Sequence, residues 1–194
     1  MDLFNLSKPL EPNAGGGGGI VNELLLAKLD DIMLPLPGRG ADGVTIADDI
    51  MLKSGKKFHR LYVTNKTLEP SQKRVSGSNA DCYGYEVGVT GFFPGLGKKI
   101  LSFLALHGSF TGLIILRSIG ADGAEERFLL GDSATPVELS DTDTKWGKLP
   151  NEDKGTTLTF KGTQKFPLAI YEGELVMTED AQNADVATVA DDPN

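Results

Sequence analysis

The strongest constraint on this fold is a side-chain alternation of period two, which only an extended strand with two unlike faces can use. In "DKGTTLTFKGTQKFPLAIYEGEL", residues 153–175, Thr156, Leu158 and Phe160 fall on one side and Thr157, Thr159 and Lys161 on the other. A turn at Gly162, Thr163 and Gln164, followed by an apolar run over 166–176, makes the stretch read as one long β-hairpin. "YGYEVGVTGF" repeats the alternation, with Tyr83, Tyr85, Val87 and Val89 opposed to Gly84, Glu86, Gly88 and Thr90. That is a half-buried strand, and Gly84 and Gly88 leave room for a close neighbour on the second face.

Dense punctuation agrees with a β-rich chain. The 24 glycines in 194 residues exceed the usual share of about 7%, and ten prolines accompany them. Residues 58–64 are strand-like, and "GLIILRS" with "EERFLLG" forms a hairpin around the glycines at 120–123. Two helices are expected. "VNELLLAKLDDI" has Asn22 as N-cap and Val21, Leu25, Leu29 and Ile32 near four-residue spacing. "PGLGKKILSFLALHG" places Leu96, Ile100, Phe103, Leu104 and His107 on one face and stops at Gly108. Residues 76–81 and 132–152, the latter with Trp146, read as polar loops. The fold class is therefore mainly β (α+β), a single domain over 20–178 with a packed central helix and a short N-terminal one.

Both ends differ from this domain. Residues 1–19 close with five consecutive glycines, the composition of a flexible arm, and Leu3, Phe4 and Leu6 are candidate contacts on another subunit. Residues 179–194 hold five acids and no Lys or Arg, the composition of a loose acidic tail. No leader-like apolar stretch and no run near the ~20 apolar residues of a membrane span is present, so a cytoplasmic origin is expected. The single Cys82 permits no internal disulfide.

A net charge of −8 disfavours nucleic-acid binding except through a local basic patch. The charge is segregated. Residues 53–74 contain Lys53, Lys56, Lys57, Arg60, Lys66, Lys73 and Arg74 with Glu69 as the one acid. The stretch is either a solvated strand and loop or a basic surface that meets an acidic surface on a neighbouring copy. In the second reading Lys56, Lys57 and Arg60 are subunit contacts, together with Thr157, Thr159 and Lys161 of the alternating strand.

Chemistry-bearing motifs are thin. "GRGADG", residues 38–43, matches a dinucleotide fingerprint by letter, but neither the preceding "LPLP" nor the following "VTIADD" supplies the strand and helix that such a site requires, so it reads as a turn. "GFFPGLGKK" lacks the spacing and the hydroxyl of a phosphate loop. Two histidines, His59 and His107, are too few for a metal cluster, and His107 suits the C-terminal end of a helix dipole. Cys82 has no basic neighbour in sequence to activate it. No catalytic residue, cofactor or metal is expected.

The order of these elements resembles the major tail tube protein of long-tailed bacteriophages, the type from phages of Bacteroidetes hosts. The resemblance rests on residues 83–177: the helix "GLGKKILSFLALHG", the hairpin "GLIILRSIGADGAEERFLLG", and above all "DKGTTLTFKG" with "FPLAIYEGEL". The glycine run and the acidic tail have no counterpart in it. The resemblance implies a β-sandwich or barrel-like domain whose sheets join those of neighbours into hexameric rings. The rings stack into a virion tail tube, assembled in the bacterial host cytoplasm with other tail proteins, and genomic DNA passes through without specific binding. The alternatives are a capsid decoration or head–tail joining protein and, from another class, a ligand-binding β-barrel or cytoplasmic enzyme.

Overall fold

Two apolar runs are buried along their whole length: Leu24, Leu25, Leu26 and Ala27, and Leu113, Ile114, Ile115 and Leu116. Both are strands. Four consecutive buried residues in a strand require cover on both faces, since neighbouring side chains point to opposite sides. The computed structural model, which describes residues 19–77, 83–119, 124–149 and 152–175, supplies that cover. The strands are β1 (Gly19–Lys28), β2 (Thr45–Ile46), β3 (His59–Tyr62), β4 (Glu69–Ser76), β5 (Tyr83–Pro94), β6 (Thr111–Ile119), β7 (Glu125–Leu130), β8 (Val137–Lys145), β9 (Gly155–Gln164) and β10 (Ala169–Tyr171). One α-helix, α1 (Lys98–His107), lies between β5 and β6. The protein is mainly β.

All ten strands share one sheet that branches at β6. One edge of β6 carries β1; the other carries β7 opposite residues 114–119 and β8 opposite residues 111–112. One branch therefore runs β3-β1-β6-β7-β10-β2 and the other β8-β9-β5-β4. The crossing point is tight. A Cβ on Gly112 would lie 2.0 Å from the Ala27 carbonyl oxygen, so only glycine fits there.

The first core cluster joins inward residues of both branches: Leu24, Leu26, Ile114, Leu116 and Leu130 with Val87, Val89, Leu158 and Phe160. Ile100 anchors α1 in it, and Phe110 meets Phe160 edge-on at 5.7 Å between ring centroids. A second cluster covers the opposite face of the first branch. Leu25, Ala27, Leu113, Ile115 and Leu129 pack there against Ile32, Ile46, Ile50 and Phe58 from the long connection between β1 and β3. Tyr171 pins that connection: its hydroxyl accepts from the Ile50 amide at 3.0 Å and donates to the Glu174 carbonyl at 2.8 Å.

Three expectations are corrected by this arrangement. Residues 21–32 form β1 and a short 3-10 turn, Leu29–Asp31, instead of a helix. Apolar residues filling both faces of a strand mimic the continuous stripe of a helix when read by spacing alone. Residues 153–175 are not a hairpin: β9 runs straight through Gly162, Thr163 and Gln164, and β10 pairs with β7 and β2. Gly162 serves a close approach instead, because a Cβ there would meet the Pro136 carbonyl oxygen at 3.2 Å. The polar stretch 132–152 contains β8, a strand of nine residues. The strands at 58–64 and 83–90, the 112–130 strand pair and the central helix stand, as does the alternation within β9.

That alternation has a measurable consequence. Phe160 is fully buried, whereas Lys161 points outward. Phe160→Ala is expected to cost about 3–5 kcal/mol of folding stability in urea titration, and Lys161→Ala to stay within about 0.5 kcal/mol. Comparable losses for the two would contradict the assigned faces.

Candidate assembly edges

A strand at the border of a sheet leaves alternate backbone N–H and C=O groups without a strand partner. The second branch has two such borders. Among the described residues β4 pairs only with β5, and seven of its eight residues are exposed. β8 pairs with β9 on one side; on its other side it meets β6 at Val137 and Glu138, and the Leu139 amide bonds to the Phe110 carbonyl oxygen at 3.1 Å. Among the described residues none forms a strand along that side of 140–145. Each of the three pairings across this branch is antiparallel, so β4 and β8 run in opposite directions.

The two borders carry opposite charge. β4 contributes Lys73 and Arg74 against Glu69, whereas β8 contributes Glu138, Asp141 and Asp143 against Lys145. Both are guarded against indiscriminate pairing. Pro70 removes one N–H from β4, and a register shift between Leu139 and Asp141 bulges β8. Like charges oppose β4–β4 and β8–β8 contacts. Between these two borders the favourable combination is β4 with β8.

Between the borders lies an outward face built from cross-strand neighbours. Lys161 sits between Gly88 and Glu138, Thr159 between Thr90 and Asp141, and Thr157 between Phe92 and Asp143. Thr90 Oγ1 donates to Thr159 Oγ1 at 3.3 Å. A Cβ at Gly88 would meet the Phe160 carbonyl oxygen at 3.0 Å, which is the close neighbour expected at that glycine. Thr157, Thr159 and Lys161 thus belong to one polar face, but both sides of β9 are already paired, so these residues offer side chains and not a free backbone edge.

The basic stretch 53–74 is not one surface. It divides between the connection to β3, β3 itself and β4. Lys56 Nζ lies 2.8 Å from Asp31 Oδ1, Lys57 is half-buried, and Arg60 Nε is 4.0 Å from Glu23 Oε2 on β1. Leu3, Phe4, Leu6 and Cys82 lie outside the described residues. Residues 38–43 do form a turn: the Gly43 amide bonds to the Gly40 carbonyl oxygen at 3.0 Å. Asp42 caps it, and the hydrogen bonds from the Thr45 hydroxyl and the Thr45 and Val44 amides hold its carboxyl at about 2. Among the described residues no group of three or more His, Cys, Asp or Glu is placed to hold a metal. His107 closes the last turn of α1, as expected; burial, then Lys28 and His59, lower its pKa.

Sequence reasoning missed both borders. The "SDTDT" alternation in β8 carried a signal, whereas the exposed "EPSQKRVS" of β4 has no apolar face to read. Comparison with protein-family models, with curated proteins and with solved structures finds no match.

The first branch is tied at its far end by Arg117 of β6, which donates to Glu23 of β1 and to Glu125 of β7 at 2.6 and 2.9 Å. The hydrogen bond from Arg117 leads the causes that lower the Glu125 pKa from 4.5. A depressed carboxylate stabilises the fold above its unfolded pKa, and that contribution fades as pH falls through the folded value. Arg117→Met should therefore lower the urea midpoint at neutral pH, and the gap to the natural chain should narrow below about pH 4.5. A gap that stays constant into acid would contradict the assigned pair.

Proposed function

We propose that the chain is a structural protein of a bacteriophage tail, a subunit of six-membered rings that stack into the tail tube. The observation that carries this reading is the pair of open, oppositely charged borders on one four-stranded antiparallel branch. An even number of alternating strands places β4 of one copy antiparallel to β8 of the next when copies are related by simple rotation. Every seam then repeats the pairing found within the subunit. Such a contact is heterologous: it uses two different surfaces and closes only as a ring. Taken with the first core cluster, the subunit is read as a β-sandwich-like domain that spends its unpaired backbone on its neighbours.

The outward face of the branch suits the wall of a DNA conduit. It carries Glu69, Glu86, Glu138, Asp141 and Asp143 against Lys73, Lys145 and Lys161, spaced by threonine, serine and glycine. A modest acid excess without a basic track denies the phosphate backbone the counterion release that holds DNA to proteins. Six copies of a chain with net charge −8 strengthen that repulsion. Genomic DNA passes; it is not bound.

Charge exchange at the borders tests the reading. The natural chain should form rings or tubes in negative-stain images. Lys73→Glu with Arg74→Glu should leave folded single subunits, as should Asp141→Lys with Asp143→Lys, and all four changes together should recover assembly. A natural chain that remains monomeric when concentrated, or reversed borders that assemble as well as the natural ones, would overturn it.

A further inference from the structure

Between α1, the end of β1 and β3 lies a cavity of about 370 Å³, within the ~300–1,000 Å³ range of small-molecule sites. Its floor is apolar: Leu26, Leu61 and Phe110 are buried, and Phe103 is half-buried. Its rim carries Lys28 from β1, Lys56 from the connection, which pairs with Asp31, and His59 and Arg60 from β3, with Arg60 4.0 Å from Glu23. Among the described residues Asp31 is the only acid lining it, and Asp31 is held by Lys56 at 2.8 Å. His107 of α1 completes the wall beside Phe103, with ring centroids 5.5 Å apart. The Nδ1 atom of His107 is shut off from solvent and makes no hydrogen bond. Buried polar atoms in native proteins are nearly always paired, so an orphan lining a cavity points to a missing partner.

We propose that this cavity binds a small organic acid, a carboxylate carried on an aromatic or branched apolar body. Nothing in the inference depends on assembly. An apolar floor rewards the body of such a ligand, and the rim takes its charge. In a chain with net charge −8, the Lys28 ammonium stands at this hollow, and a bound carboxylate supplies it with a counter-charge. Inorganic phosphate lacks the apolar part and gains only the rim. The charged and titratable groups facing His107 are Lys28, Asp31, Lys56, His59 and Arg60. Burial, then Lys28 and His59, lower its pKa and favour the neutral ring. A carboxylate reverses that field, so binding takes up a proton and tightens as pH falls.

The chain's only two histidines line this one cavity, which makes their NMR signals a direct report on it. Titration of the full chain with 4-phenylbutyrate, followed by calorimetry and by the imidazole signals, is expected to saturate at millimolar concentration or below. Both histidines should shift. The neutral 4-phenylbutanamide and inorganic phosphate should bind at least about tenfold more weakly, a difference of about 1.4 kcal/mol. Lys28→Gln should weaken the carboxylate about tenfold, and Lys145→Gln, remote from the cavity, should leave it unchanged. Equal binding of acid and amide, heat without a shift at either histidine, no saturable response, or an unaffected Lys28→Gln variant would each overturn the proposal.

Discussion

The structure depends on the double burial of β6. Its residues 113–116 are covered on both faces, its edges carry three other strands, and Gly112 lets the Ala27 backbone approach closer than any side chain would allow. Consecutive leucines and isoleucines satisfy both faces at once, and that burial is the largest stabilising term available to a chain of this size. Everything else is arranged around the branch point. The connection between β1 and β3 exists to cover one face, and the second branch with α1 covers the other.

This asymmetry separates stability from assembly. The first branch is committed to the core. The second uses one face for the core and leaves a polar face and two borders to solvent. β8 gives Val137 to the core and packs Leu139 against it, and β4 has no buried residue, so their outer edges lie open and charge on each restricts which partner they accept. The cavity beneath α1 lies on a different set of elements, between β1, β3 and the helix.

How far the sequence disclosed this follows from the same asymmetry. Strands with one buried face, β5 and β9, announce themselves by alternation, and α1 by its spacing. β1 was hidden because its consecutive leucines fit a helical stripe as well as a strand covered twice, and only the tertiary context distinguishes the two. Gly162 read as a turn because a glycine inside a strand gives no sign of whether it bends the chain or admits a neighbour. β4 offered no apolar periodicity: seven of its eight residues, Lys73 and Arg74 among them, are exposed. Of the candidate contact residues, Thr157, Thr159 and Lys161 were placed on their face by alternation. The borders were not legible, since strand order is a property of the whole sheet. The cavity was equally out of reach, because His59 and His107 meet only once β3 and α1 are folded.

The central claim is that the backbone of β4 is completed by β8 of another copy. Hydrogen–deuterium exchange compared between dispersed and assembled protein reads that backbone directly. Alternate amides within β4 and within residues 140–145 should slow sharply on assembly, while those of β9, already paired on both sides, stay as they were. Assembled protein in which β4 and β8 exchange as fast as in the single subunit would contradict the account.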